Sequence, residues 1–399
     1  MTSLKENEQS KAWDFYGTIF FAVLSYLITF FIVVKQMNFS AYIDYQAHAD
    51  SALALTISNY FTSFLNSPYL MWHTLTKLIC KITGDSTAVY ASAIVTGLFI
   101  AATYVVVCRY MRRFGGRGAC IMAFASCVIG PLYMPWIVAT YYKGVGSPNT
   151  WHNPTNIAVK PFAALALIYS VGIIKKIKEG EKIQIKEMIL FMVIIFLGVF
   201  AKPSFAMSFV PALGIWILIS CICEKFKNIK GYLLLCALFI PAMLLIGFQY
   251  LSFFGEDTGS GVGIELFRAV KNYTSHPLLA TFLVLAFPLV FLLFNIKKEW
   301  KRYDTQLVVI NTAIGWVMRS VLYETGLREK HGNFGWAYMI ALFLLYIVCM
   351  GHFLEDLRSV PDDKKILAKN GVIFGIMCIQ ILFGIIYIYR LIIVSGVWI

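Results

Sequence analysis

The sequence predicts an all-α polytopic membrane protein, on three observations. Hydrophobic residues make up 59% of its 399 positions and charged residues 14%, against roughly 45–50% and 25% in soluble globular domains. Many apolar stretches of about 20 residues occur, each long enough to cross a hydrocarbon layer of roughly 30 Å as a helix. Basic residues gather in alternate segments between those stretches, the bias that sets topology in a membrane. A single transmembrane domain over residues 1–399 accounts for all three.

About 11 spans are expected: Phe15–Val34, Ala88–Cys108, Ala119–Tyr141, Ile157–Ile174, Met188–Ala201, Phe205–Cys223, Tyr232–Leu251, Leu278–Phe294, Leu307–Leu322, Trp336–Met350 and Val372–Ile393. The polar start, Met1 to Lys11, carries acids and no small-residue cleavage site, so the first span is expected to be retained. With the amino terminus in the cytoplasm, the segments around Arg109–Arg117, Lys175–Lys186, Lys225–Lys230, Lys297–Arg302 and Arg358–Lys369, with Lys5 and Lys11, hold 22 of the 34 Lys and Arg residues. The net charge of +13 then reports topology and gives no reason to expect nucleic acid. The nine cysteines lie in or at the edges of apolar stretches and suggest no disulfide framework or metal spacing; Cys221 and Cys223 read as packing.

Directly after the first span comes Tyr42–Asp50 (YIDYQAHAD), which sets Asp44, His48 and Asp50 beside a membrane. Ionisable groups are costly to desolvate there, which makes these three the candidate catalytic residues. They open the longest outer segment, residues 36–87. Within it, Leu53, Ile57, Tyr60, Phe61 and Phe64 recur at helical spacing and predict an interfacial amphipathic helix. A second helix follows Pro68, with His73, Lys77 and Lys81 four residues apart on one face, either a stripe for a phosphate headgroup or an ordinary polar face.

Later outer segments supply further cations. Tyr141–Thr155 (YYKGVGSPNTWHNPT) reads as an ordered loop in which Trp151 and His152 either line a sugar site or belong to an interfacial aromatic belt. Lys160 falls just inside the next apolar run. Lys202, in Ala201–Phe205 (AKPSF), is expected at a tight proline-bounded turn, where a cation suits a lipid phosphate. Gly255–Gly263 (GEDTGSGVG) lacks the context of a nucleotide-binding loop; Glu256 and Asp257 read as solvated acids, and Arg268 and Lys271 as headgroup contacts. In Arg319–Trp336 (RSVLYETGLREKHGNFGW), Arg328 offers a planar fork for phosphate while Lys330 and His331 are point donors; a salt-bridged structural loop is the rival reading. Arg390 lies near the outer end of the final span.

This arrangement resembles the GT-C superfamily of integral membrane glycosyltransferases, in which a long first outer loop carries an acid just after the first span and bears interfacial helices. The resemblance is architectural. Members often show D-x-D or adjacent acids there, whereas Asp44 and Asp50 stand six apart, which leaves open the choice between them and the need for a divalent cation, Mg or Mn. The resemblance implies a polyprenyl-phosphate-linked sugar donor and a glycan, lipid or protein acceptor, on the outer face of what residue usage suggests is a bacterial cytoplasmic membrane. Asp44 would then be the general base, assisted by His48, with His73, Lys77, His152, Lys160, Lys202, Arg328, Lys330 and His331 as substrate contacts. A polysaccharide polymerase acting on lipid-linked repeats is the alternative, and a lipid-linked sugar transporter comes third because the charges gather at span ends and no repeat is evident.

Overall fold

Apolar stretches of this length become helices because a backbone in hydrocarbon must satisfy its own amide groups. The computed structural model describes residues 2–39, 44–66, 69–116, 118–137, 141, 144–253, 261–359 and 363–393. Its helices are α1 (Thr2–Phe39), α2 (Asp44–Leu53), α3 (Tyr60–Asn66), α4 (Leu70–Thr83), α5 (Val89–Met111), α6 (Ala119–Val128), α7 (Pro154–Ala158), α8 (Lys160–Glu179), α9 (Ile185–Ala201), α10 (Ser204–Cys223), α11 (Ile229–Ala237), α12 (Ile240–Phe253), α13 (Pro277–Glu299), α14 (Tyr303–Val321), α15 (Gly335–Arg358) and α16 (Lys364–Ile393). Two short strands, β1 (Val262–Ile264) and β2 (Leu322–Glu324), pair antiparallel with Val262 opposite Glu324. At Gly263 an added Cβ would run into the Tyr323 ring, so this ribbon needs glycine there.

Among the described residues, seven stretches are long and apolar enough to cross a membrane, in α1, α5, α7–α8, α10, α13, α15 and α16; α11 and α12, bent by 45°, make an eighth if they cross together. The chain is a membrane-embedded helical protein. The expected eleven spans differ from this at three places. α6 stops at Val128, ten residues after it begins, and the chain runs on without helix through Pro131 and Pro135; proline supplies no amide hydrogen for a helical ladder. α9 has 17 residues. α14 has 19 but carries Asp304, Asn311, Thr312 and Arg319, which make it too polar.

The central helix is α15, buried at every residue from Gly335 to Leu354. Around it, irregular backbone is tolerated because other elements satisfy it. Pro288 deprives the Val284 carbonyl of its usual helical donor. Tyr346 Oη donates to that carbonyl instead, Gln380 Nε2 donates to Leu283 O at 3.2 Å, and Gln380 Oε1 accepts from Phe287 N at 2.9 Å. The non-helical strand after α6 docks on the same seam, through Gly130 N to Gln380 O and Leu132 N to Leu283 O.

The interfacial region also departs from expectation. The periodic run from Leu53 to Phe64 is split: α2 ends at Leu53 and α3 begins at Tyr60. Between them Asn59 Oδ1 accepts from Thr56 N at 2.8 Å, while Asn59 Nδ2 donates to Ala54 O at 2.9 Å. This side-chain turn competes with the helix ladder. α4 follows Pro68 as expected and ends at Gly84, whose φ of 73° suits a residue without Cβ.

Far from Asp44 lies a second ionic cluster. His352 sits 16 residues beyond Trp336 on α15, about 24 Å along the axis at helical rise. Its Nδ1 is 2.5 Å from Glu299 Oε2 and its Nε2 is 3.1 Å from Asp304 Oδ2, which also accepts from Tyr110 Oη at 2.8 Å. Arg302 lies 3.7 Å from Glu299 and bonds Glu355. Carboxylates on both ring nitrogens must be met by N–H donors, so His352 clamps the α13–α14 corner to α15. His352→Leu is expected to destabilise the fold by about 3–5 kcal/mol, because it strands two carboxylates. The check is the thermal unfolding midpoint in detergent; an unchanged midpoint contradicts the clamp.

Candidate active site

The candidate site begins at the first turn of α2. Asp44 and His48 are four residues apart and share one face of that helix. Asp50, six residues from Asp44, falls on another face: it is exposed and accepts a hydrogen bond from Gln46 Nε2 at 3.1 Å. The structure therefore separates the two acids between which the sequence left the choice open.

Asp44 faces the loop that precedes α7. Residues 144–153 of this loop are buried, held by polar side chains acting on backbone. Asn149 Nδ2 donates to Ser126 O and Ile129 O, at 2.8 and 2.9 Å, which satisfies carbonyls freed where α6 breaks. Lys160 Nζ donates to Asn149 Oδ1 at 2.7 Å and stands 4.9 Å from the centre of the Phe343 ring. Lys160, 1% exposed, thus pins this loop. Arg319 secures the loop's start by donating to Gly144 O at 2.6 Å.

The loop ends at Asn153, the N-cap of α7, followed by Pro154 at the first helical position. Its Oδ1 accepts from Asn156 N at 2.8 Å, from Thr155 Oγ1 at 2.9 Å and from Lys202 Nζ at 3.2 Å. Its Nδ2 donates to Asp44 Oδ2 at 2.7 Å. One carboxamide therefore joins a carboxylate to an ammonium. Lys202 comes from the two-residue break between α9 and α10, where its extended backbone and Pro203 turn the chain back. Thr155 Oγ1 takes a second hydrogen bond from Lys202 at 2.9 Å, and the ammonium lies 4.7 Å from the Trp336 ring centre and 5.5 Å from that of Tyr69.

These surroundings tune the charges. Burial pulls the Lys202 ammonium down to about 7, with Asp44 opposing the shift. Asp44 remains 46% exposed at the side chain. Burial works against its charge, but His152, 3.7 Å away, the Asn153 amide, His48 and Lys202 together hold it below the usual carboxylate range. His152 is buried, with its ring tilted against Trp336 at 5.3 Å. Burial also lowers the two imidazoles of α2 and α4, His48 to about 3 and His73 to about 4.

A cavity of about 210 Å³ opens beside Lys202. Met207, Ile246, Tyr250, Met318 and Phe334 form apolar walls, while Gln249, Glu324, Arg328 and Asn333 add polar groups. Glu324 is placed by the β1–β2 pairing and accepts from Asn333 Nδ2 at 2.6 Å; burial raises its carboxyl above the usual range. An apolar trough ending in cations matches the chemistry of an amphiphile with an anionic head. No protein-family profile matches the chain, and no curated protein matches it in sequence. What can be said of the site therefore rests on its own geometry.

That geometry gathers Asp44, His48, His152, Lys202 and Arg328 and disperses the rest. His73, 1% exposed, turns inward and meets His48, whereas Lys77 donates to Leu53 O and, with Lys81, lines a separate groove over α3. The expected basic stripe is thus divided. Lys330 and His331 are exposed; His331 borders a small pocket under Gly332 and Gly335, and the Lys330 carbonyl accepts from Tyr273. Arg268 pairs with Glu329 at 2.7 Å and lies 3.8 Å from Glu265, as a structural loop would have it. Trp151 is 3% exposed and packs with Ile32, Ile100 and Tyr387, so it neither faces a sugar site nor forms an interfacial belt. Glu256 and Asp257 lie outside the described residues.

Among the described residues, no three His, Cys, Asp or Glu side chains converge as metal ligands. These residues alone do not build a site for Mg or Mn; the cationic side chains that line the cavity are Lys202 and Arg328. The residues that sequence reading missed are Asn153, Thr155, Tyr69 and Trp336. Only Asn153 had a usable signal: Asn before Pro marks an N-cap, and a capping amide keeps its NH2 free for a second partner.

Proposed function

We propose that this chain is a GT-C-like membrane glycosyltransferase that moves a sugar from a polyprenyl-phosphate-linked donor to an acceptor hydroxyl. The observation that supports it most is Asn153 holding Asp44 and Lys202 together beside an apolar-walled cavity. The lipid's first isoprene units would lie along Met207, Ile246 and Phe334, with the phosphate between Lys202 and Arg328. An acceptor hydroxyl at Asp44 attacks the anomeric carbon. As the new C–O bond forms, its proton passes to the carboxylate, and the sugar–phosphate C–O bond breaks with its electron pair leaving on the phosphate. Lys202 and Arg328 stabilise that developing charge. The site is proposed to face the outside of a bacterial cytoplasmic membrane, where sugars arrive on lipid carriers and no nucleotide sugar is at hand.

Asn153→Asp tests the bridge. Aspartate keeps the cap of α7 but replaces the donor to Asp44 with a like charge. Transfer is expected to fall at least tenfold; the cap of α7 is kept, since Asn and Asp cap about equally, and the like charge buried against Asp44 lowers the unfolding midpoint. Equal activity of the variant in a transfer assay with polyprenyl-phosphate-linked sugars would remove Asn153 from the mechanism.

A further inference from the structure

Two histidines beside Asp44 form a chain whose direction is fixed at one end. His73 Nδ1 lies 3.0 Å from the Tyr69 carbonyl oxygen. A carbonyl only accepts, so His73 Nδ1 carries a proton. Its Nε2 lies 2.9 Å from His48 Nδ1, and in a neutral imidazole with Nδ1 protonated that Nε2 is a lone-pair acceptor. His48 Nδ1 must therefore be the donor. The remaining lone pair of His48 is on Nε2, which points away from α4 because Nδ1 points toward it.

We propose that His73 is a positioning residue that fixes His48 as the Nδ1–H tautomer and thereby leaves His48 Nε2 as a proton-accepting site for a hydroxyl-bearing ligand at Asp44. The pair is held in place by packing: the His48 ring is 6.2 Å from Trp72 and 5.8 Å from Tyr69, and Trp72 Nε1 is anchored on Thr96 Oγ1 at 3.0 Å. The charged and titratable groups around His48 come from four elements: Asp44 on its own helix, His73 on α4, Lys202 from the turn before α10, and His152 from the buried loop. Three of these, His73, Lys202 and His152, are cations or can become so, and together with burial they disfavour an imidazolium at His48 against the pull of Asp44. The ring is thus kept as a neutral acceptor. This reassigns His73 from ligand contact to the support of one, and it rests on the proposed transferase only for the identity of the hydroxyl ligand.

The test is spectroscopic and needs no substrate. Full-length protein labelled with 15N-histidine and reconstituted in lipid bilayers reports which ring nitrogen bears the proton, with His48→Gln and His73→Gln spectra assigning the signals. The expected result at neutral pH is Nδ1–H with bare Nε2 for both residues. In His73→Phe, His48 loses its acceptor and Nε2–H signal appears; in His73→Gln, the carboxamide oxygen can replace the lost nitrogen and the Nδ1–H form is retained. A wild-type His48 protonated on Nε2 overturns the inference, and so does a His48 signal unchanged in His73→Phe. Should the Phe variant fail to insert, the wild-type spectrum alone decides the tautomer. Absence of glycosyl transfer would overturn the reading of the ligand and leave these spectra unaffected.

Discussion

Asp44→Asn is expected to reduce sugar transfer by about 10²–10⁴-fold, the usual worth of a positioned general base, with membrane abundance and the unfolding midpoint near wild type. Asn retains the shape of Asp and can still meet Asn153 or His152 through its oxygen, so the fold loses little. What it lacks is the negative charge, and with it the basicity, that lets a carboxylate take up a proton. The geometry also predicts a contrast on the same helix: Asp50→Asn is expected to transfer normally, because Asp50 is exposed and its described partner is Gln46. Transfer assays with a polyprenyl-phosphate-linked sugar mixture read both variants. Full activity in Asp44→Asn, or loss confined to Asp50→Asn, contradicts the assignment.

Lys202→Met is expected to cost about 10²–10³-fold, the range for losing one preorganised stabilising group. The more discriminating variant is Lys202→Arg. Burial leaves the Lys202 ammonium at about 7 in the free protein, so it is a cation below that pH and neutral above it. The Asp44 carboxyl, held below the usual range, is ionised throughout. If the cation is required, kcat/KM falls as pH rises through about 7, since this parameter reports groups of the free enzyme. Arginine stays charged to pH 12 or beyond, so Lys202→Arg is expected to lose that alkaline limb even where its planar head lowers the rate. A limb that persists at the same pH in Lys202→Arg belongs to another group.

The chain's class was legible because hydrocarbon imposes a simple rule on it: apolar runs of span length become helices, and α1, α5, α10, α13, α15 and α16 follow it. The rule fails where the polypeptide is shielded by protein. The segment after α6 reads as membrane-spanning by hydropathy, yet the Gln380 and Leu283 carbonyls and the Asn149 amide, itself held by Lys160, satisfy its backbone without a helix. Periodicity misjudged Leu53–Phe64 for a related reason, since the Asn59 turn outcompetes a ladder that apolar spacing alone suggests.

For the site, sequence marks chemistry but not convergence. Asp44 and Lys202 stood out as ionisable groups at span ends, and the fold joins them through Asn153 over a separation of more than 150 residues. Lys160 had the same signature and performs a structural task, because its amine is used up on Asn149 inside the bundle. Neither outcome could be read locally: each depends on which distant side-chain amide lies within hydrogen-bond reach.

The most direct test is a mass-spectrometric inventory of envelope glycans and lipid-linked intermediates from cells carrying either the wild-type chain or Asp44→Asn at equal abundance. A polyprenyl-phosphate-linked sugar is expected to accumulate in the variant, while one glycan, lipid or protein loses the mass of a single sugar. Identical inventories, with Asp44→Asn properly inserted, would contradict an Asp44-dependent transferase.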